Sequence, residues 1–428
     1  RAATANFYVS PDGNDAWSGT AAVPDENGTD GPFATLERAQ EAVRKRLQEG
    51  LENDLIVYIR GGTYTRTEPL VLGPMDSPDG RYSVTWAAYP GETPVLDAGV
   101  PVPEWEKLEP SETPPGVPEP ADENLWAADL SGSESIPDAF YTLYDGSLRL
   151  PRARGEGFDP ADNDGTRTTF TYPEGALADW PNLDDAEIVV RPHHPWVLNI
   201  LPLESVDESE RTATTSIPAT YNIRPVSEWG VPPDEQGQSI HVENVFPVLD
   251  APGEWVLDAD AETLYLWPRG EQPSSEIRIP ATRELVRLEG NTESGEMARN
   301  LTLRGLTFTR GERDTWTADD AGLQHDWEMF DKDNALVRLR GAENCTVKDC
   351  RFVNSSGTGL RLDLHCQGNR VAANVFSHLG GTGVLLCGYG PGTKDVNHHN
   401  SVVDNHVHHC GEIYTHSAGI RSEEHTSE

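Results

Sequence analysis

The sequence predicts an all-β protein: a right-handed parallel β-helix with an N-terminal capping helix and an inserted β-rich domain. Three observations carry that expectation. The first is a repeat, in which "NCTVKDCRFVNSSGTGLRLD" and "NRVAANVFSHLGGTGVLLCG" superimpose with Phe352 on Phe376 and Gly359 on Gly383, each at a shift of 24 residues. The second is that helical spacing occurs near the N-terminus and is followed by strands without helices. The third is the punctuation of short alternating apolar runs by Gly and Pro. A coil of about this length cannot bury its own apolar face, so successive coils stack about 4.8 Å apart and share one core.

The elements follow in order. "FYVSPDGND" opens with a short strand and runs into turn residues. "PFATLERAQEAVRKRLQEG" then places Leu36, Ala39, Val43 and Leu47 on one helical face, with Thr35 as N-cap and Gly50 as stop. "LIVYIRGGTYT", "EPLVLG", "YSVTWAAYP" and "PVLDAG" read as the first coils. The texture changes at the acidic, Pro-rich "EPSETPPGVPEPADEN". Beyond it, "YTLYDGSLRLPRAR" and "GEWVLDADAETLYLWP" have hairpin patterns, the latter with Trp255 and Leu257 before a turn and Leu264 and Leu266 after it. The expected division is 1–103 for the cap and first coils, 104–284 for the insertion, and 285–420 for the remaining coils.

The final coil, "NSVVDNHVHHCGEIYTHSAGI", matches Asn405 to Asn374 and Gly419 to Gly383 after a longer turn. Thr382, Val384 and Leu386 are inward positions, continued by Ala418 and Ile420, yet the next inward position holds Ser422. The octapeptide "RSEEHTSE" resembles the translation of a common sequencing-library adapter. Residues 421–428 are therefore expected to be an artefact tail on a truncated fragment whose last coil has no polar cap.

Composition narrows the function classes. With 71 acidic against 33 basic residues the net charge is −38, which repels phosphate backbones, so no nucleic-acid partner is expected. The basic residues are nearly all arginine, and an acidic, Lys-poor surface is one known adaptation to high salt; a halophilic source is the expectation. No apolar run is long enough for a membrane span. "AATA" after Arg1 resembles the small-residue end of a secretory signal. Cys345, Cys350, Cys366, Cys387 and Cys410 lack zinc-like spacing and are expected to fill the core as thiols.

Rungs of a β-helix present outward side chains in ladders, where carboxylates on neighbouring strands fall near the separation of about 5–5.5 Å used by retaining glycosidases. Two places supply candidate catalytic residues. On "TGLRLD", Arg361 and Asp363 are expected to point outward, Asp363 as a catalytic acid and Arg361 as a substrate contact, or both as a solvated strand-end pair. The turn "HVHHCGEIYTH" is the densest functional cluster. There Glu412 is a candidate general acid, His416 a second catalytic group and Tyr414 a substrate contact, with polar rungs and turn residues as the plain alternative. Alternation places His406 and His408 on one side of the strand, and Val407 and His409 on the other. No HExxH-like spacing accompanies the histidines, so no metal is expected. In the long segment "GERDTWTADDAGLQHDWEMFDKDN", Trp316 and Trp327 could stack on sugar rings, or simply pack. Asp319, Asp320 and Asp326 could bind hydroxyls or calcium, but no EF-hand pattern occurs and no cofactor is expected.

Taken together, "FYVSPDGND", "GPFATLERAQEAVR", "VYIRGGTY", "PLVLGPMDS", "VENVFPVLDAPGEWVLD", "LYLWP", "NLTLRGLTF" and "GEIYTHSAGI" resemble the β-helix carbohydrate-active enzymes related to glycoside hydrolase family 141. The resemblance spans nearly all of residues 6–420. It implies a secreted or periplasmic hydrolase, monomeric when intact, acting on plant or algal polysaccharide or its oligosaccharides, with a pair of catalytic aspartates that it does not place on particular residues here. Two other readings stand beside it: a polysaccharide lyase on the same fold, and a non-catalytic carbohydrate-binding adhesin.

Overall fold

A computed structural model describes residues 5–192, 194, 197–226, 239–318, 331–389 and 393–422. Its architecture is a right-handed parallel β-helix built from three parallel sheets. Among the described residues, one face stacks Ala5–Val9, Leu55–Ile59, Val84–Ala88, Leu301–Arg304, Thr346–Lys348, Arg370–Ala372 and Ser401–Val403. The second stacks Gly62–Thr65, Pro94–Asp97, Thr307–Thr309, Arg351–Ser355, Val375–Leu379 and His406–His408. The third stacks Leu70–Leu72, Val286–Glu289, Ala335–Arg340, Thr358–Leu362, Val384–Leu386 and Ile420–Ser422. The helix Leu36–Glu49 lies where its spacing predicts, with Thr35 accepting from the Arg38 N–H and Gly50 at φ 88° ending it. Its buried Leu36, Ala39 and Val43 join the same core as Val9 and Phe33, so the helix covers the first coil.

The register is the one the repeat implies. Phe352 pairs with Phe376 and Leu360 with Val384. Inward rings continue from coil to coil, Phe308 on Phe352 at 5.0 Å and Phe352 on Phe376 at 4.5 Å between centroids. The corners repeat as well. Gly305, Asp349, Ala373 and Asp404 follow equivalent strands, and all have left-handed backbones with φ between 55° and 72°. Arg310, Asn354, His378 and His409 do the same at the next corner, at φ 51–60°. A left-handed non-Gly residue costs roughly 1–2 kcal/mol, so each corner needs compensation. Asparagines supply part of it. Asn374 Oδ1 accepts from Cys350 N at 2.9 Å, its Nδ2 donates to Val347 O at 3.0 Å, and Asn405 Oδ1 in turn accepts from Asn374 N at 2.9 Å. Asn369 and Asn400 form a parallel ladder one corner away.

The five cysteines are thiols outside any disulfide, all but Cys410 buried. Gly383 and Gly419 align through the Val384 to Ile420 pairing. The third-face strand also runs two residues into the segment set aside as an artefact tail, with Arg421 opposite Leu385 and Ser422 opposite Leu386. Residues 423–428 lie outside the described residues. Among the described residues no helix is long and apolar enough to cross a membrane.

Between the early and late coils the chain builds three antiparallel sheets. One joins Leu148–Leu150, Leu143–Asp145, Ile277–Pro280 and Gly99–Pro101. A second joins Trp255–Asp258, Thr263–Leu266, Trp126–Asp129 and Trp105–Lys107, with the expected pairing of Trp255 to Leu266 and Leu257 to Leu264. The third orders Thr169–Thr171, Thr212–Thr215, Asn199–Asp207, Glu187–Val190 and Ile240–Glu243. The insertion is stapled to the coils by Glu312, whose carboxylate accepts from Tyr141 N at 2.8 Å and Thr142 Oγ1 at 2.7 Å.

The ladder yields a test. Asn374→Ala removes the side-chain bonds to Cys350 N, Val347 O and Asn405 Oδ1 and leaves buried backbone groups unmet, and should cost about 2–4 kcal/mol in urea unfolding with the slope unchanged. Loss below about 0.5 kcal/mol would mean the ladder does not hold the corner.

Candidate active site

A cleft of about 510 Å³ opens where the insertion meets the last coils. Local strand geometry decides what faces it. After Leu148–Leu150 the chain stays extended, bridging Arg152 to Trp255 and Arg154 to Glu243. Alternation therefore buries Ala153 and turns Arg152 and Arg154 to the cleft. On the facing sheet Val189 pairs with His241 and Glu187 with Glu243, so Val189, Arg191, His241 and Glu243 line the same wall. The long turn of the last coil adds Glu412, Ile413 and Thr415.

Like charges directly opposite in a sheet destabilise it, and Glu187 opposite Glu243 is such a pair. Arginines resolve the conflict. Glu187 is ion-paired with both Arg152 and Arg313, and Glu243 accepts from Arg154 Nε at 2.6 Å. Arg313 also lies 4.2 Å from the Tyr141 ring centre. Burial opposes the Glu187 carboxylate, but Arg313 and Arg152 outweigh it and hold its pKa below the usual glutamate range. Glu254 is different. Burial pushes its pKa up, only partly countered by the N–H groups of Asp250 and Ala251 at 2.8 and 3.0 Å. His241 is held below the ordinary imidazole range by burial, with Arg154 and Arg191 acting in the same direction. Glu412 is partly open, its oxygens 3.0 Å from Arg149 Nη2 and 3.1 Å from His378 Nδ1.

Five arginines, at 149, 152, 154, 191 and 313, thus line one cleft of a chain whose net charge is −38. Four have carboxylate partners. Arg191 has none among the described residues, and its guanidinium is the one left to meet a bound anion.

Several expected site residues lie elsewhere. Arg361 and Asp363 do point away from the Leu360 and Leu362 core positions, but both are fully buried. Asp363 accepts from Asp331 N at 2.7 Å and Arg338 Nε at 3.1 Å, with Arg361 Nε at 3.3 Å, while Arg361 donates to Asn334 at 2.7 Å. An acid so enclosed cannot meet a glycosidic oxygen; it anchors the segment that returns over the third face. That face carries Arg287, Arg338 and Arg361 in register, a column of like charges that Glu284, Asp331 and Asp363 neutralise. Trp316 and Tyr414 are not open stacking surfaces. Both are buried in the insertion's apolar cluster, with Trp316 Nε1 donating to Pro218 O at 3.3 Å and the Tyr414 hydroxyl to Asp314 O at 2.7 Å. His416 is half-buried and outside the cleft lining. Asp319, Asp320, Asp326 and Trp327 lie outside the described residues. His409 does not follow simple alternation, because its left-handed backbone brings its ring within 5.0 Å of His408.

Of the expected residues that are described, Glu412 alone lines the cleft. Glu254, Arg191, Arg149 and His241 were missed. The alternation in "LRLPRAR" was a legible signal for two basic side chains on one face, but nothing in sequence placed the Glu187–Val190 strand opposite it.

A family model described as "Right handed beta helix region" matches residues 292–426. No curated protein matches the chain. Among solved structures, one described as "Glycoside hydrolase" superimposes with a TM-score of 0.68 at 19% identity, covering 96% of this chain and 74% of that one. At that identity the likeness is one of fold. "The complex structure of XylC with xylose" aligns at TM-score 0.29 and 11% identity over 94% of this chain and 62% of that one. "Rhamnogalacturonan lyase" aligns at 0.26 and 11% over 93% and 61%.

The cleft's buried ion network can be tested by pH. Because the Glu187 pKa is lowered on folding, its contribution is present above the unfolded value of about 4.3 and is lost as pH falls through the folded value. Glu187→Gln should therefore destabilise the protein by about 3–5 kcal/mol at pH 7, leaving two buried arginines uncompensated, with the difference from wild type shrinking below about pH 4. Denaturant titrations at both pH values read this directly; a pH-independent gap would contradict it.

Proposed function

We propose that the chain is a glycoside hydrolase acting on a plant or algal polysaccharide or its oligosaccharides, with the reaction in the cleft between the insertion and the last coils. The observation that carries this reading is a pair of carboxyl groups in unlike surroundings lining one cleft. Glu254 is buried, which raises its pKa, whereas Glu412 is partly open to solvent and held by Arg149 and His378. A carboxyl whose pKa is raised, together with a second that solvent can reach, is what acid-assisted glycosidic cleavage uses. Glu254 donates its proton to the departing glycosidic oxygen. Glu412 takes a proton from the attacking water, or itself attacks the anomeric carbon, according to the separation across the bound sugar. The arginine lining supports a sugar ring bearing a carboxylate or sulfate, with Arg191 as its contact.

One observation favours a second reading. His241, kept neutral beside Arg191 and Arg154, could remove a proton next to a uronate carboxylate neutralised by those arginines, which is lyase chemistry. The products separate the two. Hydrolysis gives only new reducing ends, whereas elimination also gives an unsaturated, ultraviolet-absorbing sugar.

Glu254→Gln should lower kcat by about 10²- to 10⁴-fold and remove the alkaline limb of the pH–rate profile. Arg191→Ala should raise KM for uronate-containing oligosaccharides by about 10- to 100-fold and leave neutral ones unchanged. Wild-type kinetics in both variants would put the chemistry elsewhere.

A further inference from the structure

Outside the cleft, three imidazoles converge where two coils stack. The strands Val375–Leu379 and His406–His408 run in parallel with Ser377 opposite His408, so the next positions, His378 and His409, stand one above the other. Both have left-handed backbones, at φ 55° and 51°. Their rings stack with centroids 4.7 Å apart, and His408 closes the group at 5.0 Å from His409 and 6.0 Å from His378. One ligand nitrogen from each of the three lies within 4.8 Å of the others.

We infer that His378, His408 and His409 form a binding site for a divalent transition-metal ion of the zinc type. Three features support it. His408 Nδ1 and His409 Nδ1 are 2.8 Å apart and share a proton, so the two ring nitrogens already face each other. Glu412 Oε1 lies 3.1 Å from His378 Nδ1, which fixes that tautomer and leaves Nε2 for an ion. This carboxylate-to-histidine bond is the usual outer support of a metal-bound imidazole. Finally, nitrogen donors held about 2.0–2.1 Å from zinc sit roughly 3.3 Å apart, so ligand nitrogens within 4.8 Å of one another, on two exposed rings and one half-buried ring, need only small rotations to close on the ion. A set of three imidazoles disfavours magnesium and calcium, which take oxygen ligands.

The ion's role is a brace. Glu412 bonds His378 with one oxygen and Arg149 of the insertion with the other, so fixing His378 fixes the turn that brings Glu412 to the cleft wall. The site is independent of whether the cleft performs hydrolysis or elimination.

The experiment is calorimetric titration of zinc chloride into the untagged, chelator-stripped full chain. One zinc per chain is expected, not displaced by excess magnesium. His378→Asn with His409→Asn should weaken binding by more than the roughly 10- to 100-fold that outer-shell partners alone are worth. Asparagine tolerates the left-handed backbone at both corners, and an unchanged melting temperature without zinc verifies that the double variant folds. Absence of stoichiometric zinc binding by the wild-type chain, displacement by magnesium, or undiminished affinity in the folded double variant would each overturn the assignment.

Discussion

Everything in this molecule depends on one constraint: each coil must stack on its neighbour in a single parallel register. A slip of one residue would exchange the inward Phe352 and Phe376 for their outward neighbours, because side chains alternate with a period of two. The corners enforce that register. Left-handed residues at equivalent positions turn the chain by the same angle in every coil, and the asparagine ladders bond each corner to the ones above and below. The strain of an Ala373 or a His378 at positive φ persists because the stack over-determines it. Functional side chains inherit this rigidity, since residues next to a corner are held at fixed heights along the helix axis.

Charge is organised on the same frame. The chain is strongly acidic, yet arginines are drawn into two interior layers. On the third face a ladder of three arginines, Arg338 and Arg361 buried and Arg287 half-buried, pairs with Glu284, Asp331 and Asp363. In the cleft, two arginines share Glu187 and the balance is tipped the other way. Removing a partner from either layer would strand a charge away from water, so both are structural as well as electrostatic features. The difference is access: the third-face layer is closed over, while the cleft remains open and keeps Arg191 available.

Glu412 links the separate regions of the molecule. It sits on the longer turn of the last coil, meets Arg149 of the insertion, and supports an imidazole of the histidine cluster. That turn places Glu412 beside Arg149, adding to the contacts that Glu312, Ser355 and Ser356 already make with the insertion.

Sequence by itself determined the period, the helix and its caps, the inward residues and the hairpins of the insertion. All of these follow from local alternation, turn chemistry and a repeat that compares the chain with itself. It also singled out Glu412, because that residue stands in an irregular turn crowded with polar groups. It could not decide which outward residues meet solvent. Arg361 and Asp363 alternate as outward residues must, but only the tertiary structure lays the 331–334 segment across them. Trp316 and Tyr414 carry no local mark of burial, since their cover comes from the insertion. The cleft itself joins residues 149–154, 187–191, 241–254 and 412–415, which are up to hundreds of positions apart. Periodicity reports which face of a strand a residue occupies; what packs on that face is fixed by contacts between distant segments, and only the folded chain brings those together.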